Sequence, residues 1–366
     1  MTRHRFSRRD VLKASTLMAA GAVAAPGAGK FMQSAQAQVR AQAPQPSAIT
    51  PALIAAAKKE GKLAFYTAMD LQLAERFGRT FEAKFPGIAV RVERAGAERV
   101  FQRIDQEYQS NIRAVDVVNT ADQAHCIIWK RKGWLAPYMP EDVAKYYDKS
   151  YYDPEGLHVT TRVLVSPLGY NTKLVKAEEA PKSFADLLDP KWAGKMVKAH
   201  PGYSGTIMTA TQQMARDLGW GYFEKLAKQR IMQVQSASDP PKKLDLGERA
   251  VMVDGNEYNL LQIQAKKGPV AIVHPVKGTP FVVGPNGIFK RAPNPNAARL
   301  FQLYCFTAEC QQLIVDVGKL RSLHPQTKET DGRRAFGQFK TMKEDAAAVE
   351  KQSDEIKVRY SKLFGV

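Results

Sequence analysis

Negative charge and cysteine are both scarce in this chain. Against 54 Lys and Arg stand 36 Asp and Glu, a formal net charge of +18. That balance favours anionic partners over cationic ones. The 3 cysteines, Cys126, Cys305 and Cys310, are too few for a disulfide scaffold. Cys305 and Cys310 are read on different faces of one helix, so buried thiols are expected rather than a bridge. There is no CxxC, no HExxH and no His–Cys cluster, which leaves zinc without support. His125, His158, His200, His274 and His324 are scattered without ligand spacing and read as surface or core residues. A nucleophile elbow, a P-loop and a dinucleotide fingerprint are also missing, so neither an enzyme nor a cofactor is expected. Beyond the N-terminal segment no apolar run reaches the roughly 18 residues of a membrane-spanning helix.

What is present starts with Ser7-Arg8-Arg9-Asp10-Val11-Leu12-Lys13, the pattern of a twin-arginine export signal. A weakly apolar stretch, Ala14 to Ala25, follows, and Ala35-Gln36-Ala37 offers a small-x-small cleavage site. Residues 1–37 are read as a signal peptide for the Tat export machinery, cut near Ala37, with the periplasm as destination. Its removal leaves 48 basic residues (54 less 6) and 35 acidic ones (36 less 1), a net +13. Export argues against nucleic acid as the anionic partner. Roughly 330 remaining residues exceed one typical core and imply two lobes.

Residues 38–49 are rich in Gln, Ala, Pro and Ser and read as a flexible mature N-terminus. Thr50 and Pro51 then open a helix. Leu63–Tyr66, Ile88–Val92 and Val115–Val118 read as strands separated by amphipathic helices, as in Leu73, Phe77, Phe81 and Phe85 at four-residue spacing. Such alternation implies a parallel sheet covered by helices, with ligands outside the carboxyl ends of the strands. Those ends are Tyr66–Asp70, Arg94–Gly96 and Asn119–Asp122. A second region begins with a strand and turn over 162–171. It adds a loop and helix at Pro201–Leu218, a buried strand at Ala250–Val253 and a late strand at Gly287–Lys290. One long helical region, Asn296–Val317, and a charged amphipathic tail, Met342–Phe364, packed across the outside, complete the reading.

Gly169-Tyr170-Asn171-Thr172, followed by Pro181-Lys182-Ser183-Phe184-Ala185-Asp186-Leu187-Leu188-Asp189-Pro190-Lys191-Trp192-Ala193-Gly194-Lys195, resembles the type II periplasmic substrate-binding proteins of ABC importers. The resemblance is to their ferric-ion-binding branch. Leu63–Thr67 and Ala292–Phe301 extend the likeness over most of 60–325. It implies an α/β protein of two lobes, each a mostly parallel sheet flanked by helices, with the ligand cleft between them. Lobe 1 is then 50–162 plus 280–330, lobe 2 is 163–279, and 331–366 is a C-terminal helical segment. The implied partners are a small-molecule solute and an inner-membrane ABC permease, and the implied state is a monomer.

In that branch two adjacent tyrosines hold iron, but here the segment reads Val253-Asp254-Gly255-Asn256-Glu257-Tyr258, with a single tyrosine. Ser204-Gly205-Thr206 resembles the family's anion pocket at a helix start, where unpaired N–H groups and the helix dipole favour negative charge. Arg94 suits a carboxylate or phosphonate, with Arg321 a second candidate. The expected ligand is a small organic anion or zwitterion. Its expected contacts are Tyr66, Thr67, Met69, Asp70, Arg94, Gly96, Thr120, Asp122, Ser204, Gly205, Thr206, Asp254, Asn256, Glu257 and Tyr258. Two alternatives stay open. One is ferric iron on Asp70, Asp122, Glu257 and Tyr258; the other is an exported hydrolase.

Overall fold

A computed structural model describes residues 43–329 and 331–366. The export signal, the proposed cleavage site and part of the flexible N-terminus lie outside the described residues.

The first lobe is built from α1 (Pro51–Glu60), β1 (Lys62–Thr67), α2 (Leu71–Lys84), β2 (Ala89–Arg94), α3 (Ala97–Gln109), β3 (Val117–Asn119), α4 (Gln123–Arg131), β4 (Leu135–Ala136) and α5 (Glu141–Tyr146). Thr50 caps α1 through its side chain, Pro51 presets the first turn, and Gly61 ends the helix with φ 70°. β1 lies between β2 and β3 and runs parallel to both, so the loops after all three strands emerge on one rim. Phe65 and Tyr66 face opposite sides of that sheet, as strand alternation requires. On the Phe65 side, Phe301 stands 5.0 Å from Phe65 and 5.1 Å from Phe81 between ring centroids. Each such pair adds about 0.5–1.5 kcal/mol beyond area burial.

The chain crosses out through β5 (Val159–Val165) into β6 (Leu168–Asn171), β7 (Met196–Ala199), α6 (Gly205–Leu218), α7 (Trp220–Ala227), β8 (Met232–Val234), α8 (Asp239–Asp245), β9 (Val251–Met252), α9 (Glu257–Ala265) and β10 (Val270–Val273). These strands form a second sheet in the order β10-β6-β9-β7-β8, with β9, β7 and β8 parallel. The chain returns through β11 (Phe281–Phe289), which pairs antiparallel with β5, β3 and β4. The β5–β11 pair is thus the strand connection between two lobes, and its register shifts at Gly284/Pro285. α10 (Pro295–Cys305) and α11 (Ala308–Asp316) complete the first lobe.

Three sequence expectations differ from this picture. The long helix over 296–317 is two helices, broken at Phe306-Thr307, where Thr307 caps α11. Cys305 therefore ends one helix while Cys310 lies in the next, and all three cysteines are buried and free. The late strand is far longer than Gly287–Lys290, because its first half pairs with β5 as an interlobe connection. The tail helix α12 (Ala346–Phe364) does not simply lie on the outside. Val349 and Ile356 join Ala124 of α4 and Met208 of α6 in one buried cluster. Lys357 Nζ bonds Glu98 Oε2 of α3 at 3.0 Å, and Tyr360 Oη donates to Gln233 Oε1 of β8 at 2.7 Å. α12 therefore touches both lobes.

Candidate functional site

Between the lobes lies a cavity of about 110 Å³. At about 30 Å³ per water in the liquid, it seats roughly four water-sized groups. Its walls come from the loops after β1, β2 and β3 on one side and those after β7, β8 and β9 on the other.

Arg162 forms the floor. It sits on β5 opposite Gly284 of β11 and is 1% exposed. Its guanidinium donates through Nη1 to Asn119 Oδ1 at the end of β3. Among the described residues no carboxylate pairs with it within 4.0 Å. Burial pulls its pKa down to about 10. A charge taken from water without a counter-ion is costly, so such groups are normally paired. Gly284 is what lets the guanidinium lie against the bulged strand. A Cβ there would stand 3.0 Å from Arg162 Cζ and 3.1 Å from Nη1.

Three helices of at least eight residues begin at the cavity: α3 at Gly96, α6 at Ser204 and α9 at Asn256. Their first N–H groups lack intrahelical partners and carry the positive end of the dipole. Gly96 and Asn256 make no side-chain cap bond, and Ser204 Oγ accepts from Ile207 N at 3.5 Å. Arg94, exposed at the mouth, donates through Nε to Met69 O at 3.1 Å. Among the described residues Asp70 is the only carboxylate on the wall. It caps α2, accepting from Gln72 N at 3.0 Å. The site is a positive pocket with one acidic corner.

The lobes meet over it. Arg99 Nη2 donates to Gln235 Oε1 at 3.1 Å across the mouth. A Cβ on Gly205 would fall 2.7 Å from Asp122 Cβ and 3.0 Å from Ala121 O. Only glycine permits this approach of α6 to the first lobe.

Of the residues assigned from sequence, Met69, Asp70, Arg94, Gly96, Ser204, Gly205, Thr206, Asn256 and Tyr258 line the cavity. The structure places the other six elsewhere. Tyr66 packs in the core cluster against α3, where its hydroxyl donates to Glu107 at 3.0 Å. Thr67 Oγ1 accepts from Met69 N at 3.0 Å and shapes the first loop from behind. Thr120 bonds His125 Nδ1 at 3.0 Å. Asp122 caps α4, and burial pushes its pKa up to about 6. Asp254 is paired with Lys198 at 2.6 Å, both fully buried. Glu257 is held by Arg321 at 2.8 and 2.9 Å and lies 3.3 Å from His274. Arg321 is thereby committed to a carboxylate and does not line the cavity.

Of the four residues considered for iron, only Asp70 and Tyr258 reach the wall. The Tyr258 hydroxyl is pushed up to about 12 by burial and by nearby Asp70, which disfavours a phenolate. A separate trio, Glu98, Asp122 and His125, gathers its ligand atoms within 4.8 Å, outside the cavity lining. Lys357 supplies a cation there. Burial alone would raise the Glu98 carboxyl, but His125 and Lys357 outweigh it and hold it at about 2.

Sequence reasoning names Asn119 only as part of the third strand end and assigns no role to Arg162 or to the Gln235–Ser238 loop. An arginine inside Val-Thr-Thr-Arg-Val-Leu-Val was the available signal for Arg162, and Gln-Ser-Ala-Ser before Asp-Pro-Pro for the loop.

The Glu257–Arg321 pair ties α9 to the segment after α11. Arg321→Met is expected to cost about 3–5 kcal/mol, because it leaves a buried carboxylate with only His274 beside it. Urea unfolding of the purified protein measures this directly.

The profile of a family described as bacterial extracellular solute-binding protein matches residues 115–345. A curated relative, an uncharacterised protein of Haemophilus influenzae, is 24% identical over 297 residues, covering 78% of this chain and 84% of the relative. Among solved structures, the periplasmic binding protein AfuA from Actinobacillus pleuropneumoniae, with exogenous fructose-6-phosphate bound, is similar at TM-score 0.76 and 22% identity. The match covers 84% of this chain and 99% of that one. Iron-bound HitA from Pseudomonas aeruginosa is similar at TM-score 0.73 and 19% identity, over 82% of this chain and 99% of HitA.

Proposed function

From the premise that this chain belongs to the bacterial extracellular solute-binding protein family, we propose that it is the periplasmic receptor of an ABC importer. Its solute is a small organic anion or zwitterion bearing a phosphate, phosphonate or carboxylate group. The observation that carries this reading is Arg162, a buried guanidinium on the cavity floor without a carboxylate partner among the described residues. A bound anion supplies the missing counter-charge, and the helix starts at Gly96, Ser204 and Asn256 supply further donors. The fructose-6-phosphate bound by AfuA is of the same chemical class, whereas the iron bound by HitA is not.

Capture follows from the fold. Arg162 lies on the strand pair that joins the lobes, so an anion on it sits at the hinge. Closure brings Ser204–Thr206 and Gln235 against the first lobe and removes the solute from water. The closed form then docks on a membrane permease. No bond is made or broken. Lobe 1 comprises 50–162 and 280–330, lobe 2 comprises 163–279, and the protein acts as a monomer after Tat export and cleavage near Ala37.

Calorimetric titration with a panel of small phosphate, phosphonate and carboxylate compounds, with and without hydroxyl or amino groups, tests the reading. Saturable binding at one site per chain is expected for members of the panel. Silence across the whole panel, together with tight binding of ferric ion, overturns it.

A further inference from the structure

Asn256 is 4% exposed, lines the cavity and leaves its Oδ1 buried without a protein partner. Which end of this amide is left unpaired follows from a relay of three amides. Gln262 Nε2 donates to the Gly318 backbone carbonyl at 3.4 Å, which can only accept. Gln262 must therefore present Oε1 to Asn259, whose Nδ2 donates to it at 3.0 Å. Asn259 in turn presents Oδ1, which accepts from Asn256 Nδ2 at 3.0 Å. The second hydrogen of Asn256 Nδ2 goes to the Tyr258 hydroxyl at 3.3 Å. Both donor positions of Asn256 are used inside the protein, and its carbonyl oxygen is the polar end left without a protein partner.

We propose that Asn256 is a specificity-determining residue, an acceptor held in place by Gln262 and Asn259, which selects solutes carrying a hydroxyl or ammonium group beside their anionic group. This rests on the anion reading above. A bare anion would satisfy Arg162 yet leave Asn256 Oδ1 buried and unpaired, and a site built to bond a donor rejects the analogue that lacks it. Asp70, the one acidic residue on the wall among the described residues, adds a second acceptor of the same preference. Gln262 lies outside the cavity lining and acts as a positioning residue. Gly318 follows α11 of the first lobe while Gln262 belongs to α9 of the second, so the relay also spans the lobes.

The test compares three probes by calorimetric titration on the full mature protein: glycerol 1-phosphate, O-phosphoethanolamine and n-propyl phosphate. The last has the carbon chain of the first and the heavy-atom count of the second, and lacks their donors. At least one donor-bearing probe is expected to bind about 10-fold or more tightly than n-propyl phosphate. Gln262→Leu frees the relay to flip and should shrink that ratio several-fold. Gln262→Glu, which keeps an acceptor for Asn259, should preserve it. Equal binding of all three probes to the wild-type protein overturns the selection and leaves the anion reading standing. An unchanged ratio in Gln262→Leu overturns the relay. No binding of any probe, phosphate group included, counts against the anion reading and takes this inference with it.

Discussion

Arg162→Met is expected to lower the affinity for an anionic solute at least 100-fold while leaving the empty protein as stable as the wild type or more so. The two effects have opposite signs because the guanidinium is unpaired until the solute arrives. Removing one partner of a buried, hydrogen-bonded charge pair typically costs 2–5 kcal/mol, and about 2.7 kcal/mol is a factor of 100. In the empty protein the same group is a liability. Burial lowers its pKa to about 10, so the folded state disfavours its charged form. At about 1.4 kcal/mol per pKa unit this is on the order of 3 kcal/mol, from which the lost bond to Asn119 and the shorter side chain must be deducted. Titration of a binding member of the panel, with thermal unfolding of the empty variant, reads both effects. A variant that loses stability and keeps affinity would show Arg162 to be a structural residue.

Gly205→Val is expected to separate folding from capture. A Cβ at 205 meets Asp122 Cβ at 2.7 Å, with Ala121 O and Ala97 Cβ each at 3.0 Å, all of them on the opposite lobe. One contact is backbone, which cannot step aside as a flexible side chain would. With the lobes apart, the same valine faces solvent at the start of α6, where substitutions usually cost within about 0.5 kcal/mol. The variant should therefore unfold near the wild-type temperature, fail to compact on adding solute in small-angle scattering, and bind about 10-fold or more weakly. Normal compaction in the variant would mean that the lobes close by another approach.

The pattern that organises the fold is local, and for that reason it could be read from sequence. Helix starts at Thr50-Pro51 and Ser204, the four-residue spacing of Leu73, Phe77 and Phe81, and the three parallel strands of the first lobe all follow from near neighbours. The loops at the strand ends were legible for the same reason, since an open parallel sheet places its ligand there. What escaped depends on partners distant in sequence. Glu257 reads as a cleft acid until Arg321 closes on it, and Asp254 until Lys198 does. Tyr66 reads as a rim residue because it ends the strand, yet its side chain packs in a core cluster on one face of the sheet, as that of Phe65 does on the other. Arg162 was hidden in the converse way. A charged residue within an apolar strand looks like an interruption until β11 and Asn119 show that it is held facing a cavity.

The most direct measurement is mass spectrometry of the protein purified after export, with its cleft contents released by denaturation and the metal content determined on the same sample. About one equivalent of a small compound bearing a phosphate, phosphonate or carboxylate group is expected, with hydroxyl or amino groups beside it and iron far below one per chain. About one iron per chain without an organic anion would contradict it, and would mean that Asp70 and Tyr258 bind metal with ligands from outside the chain.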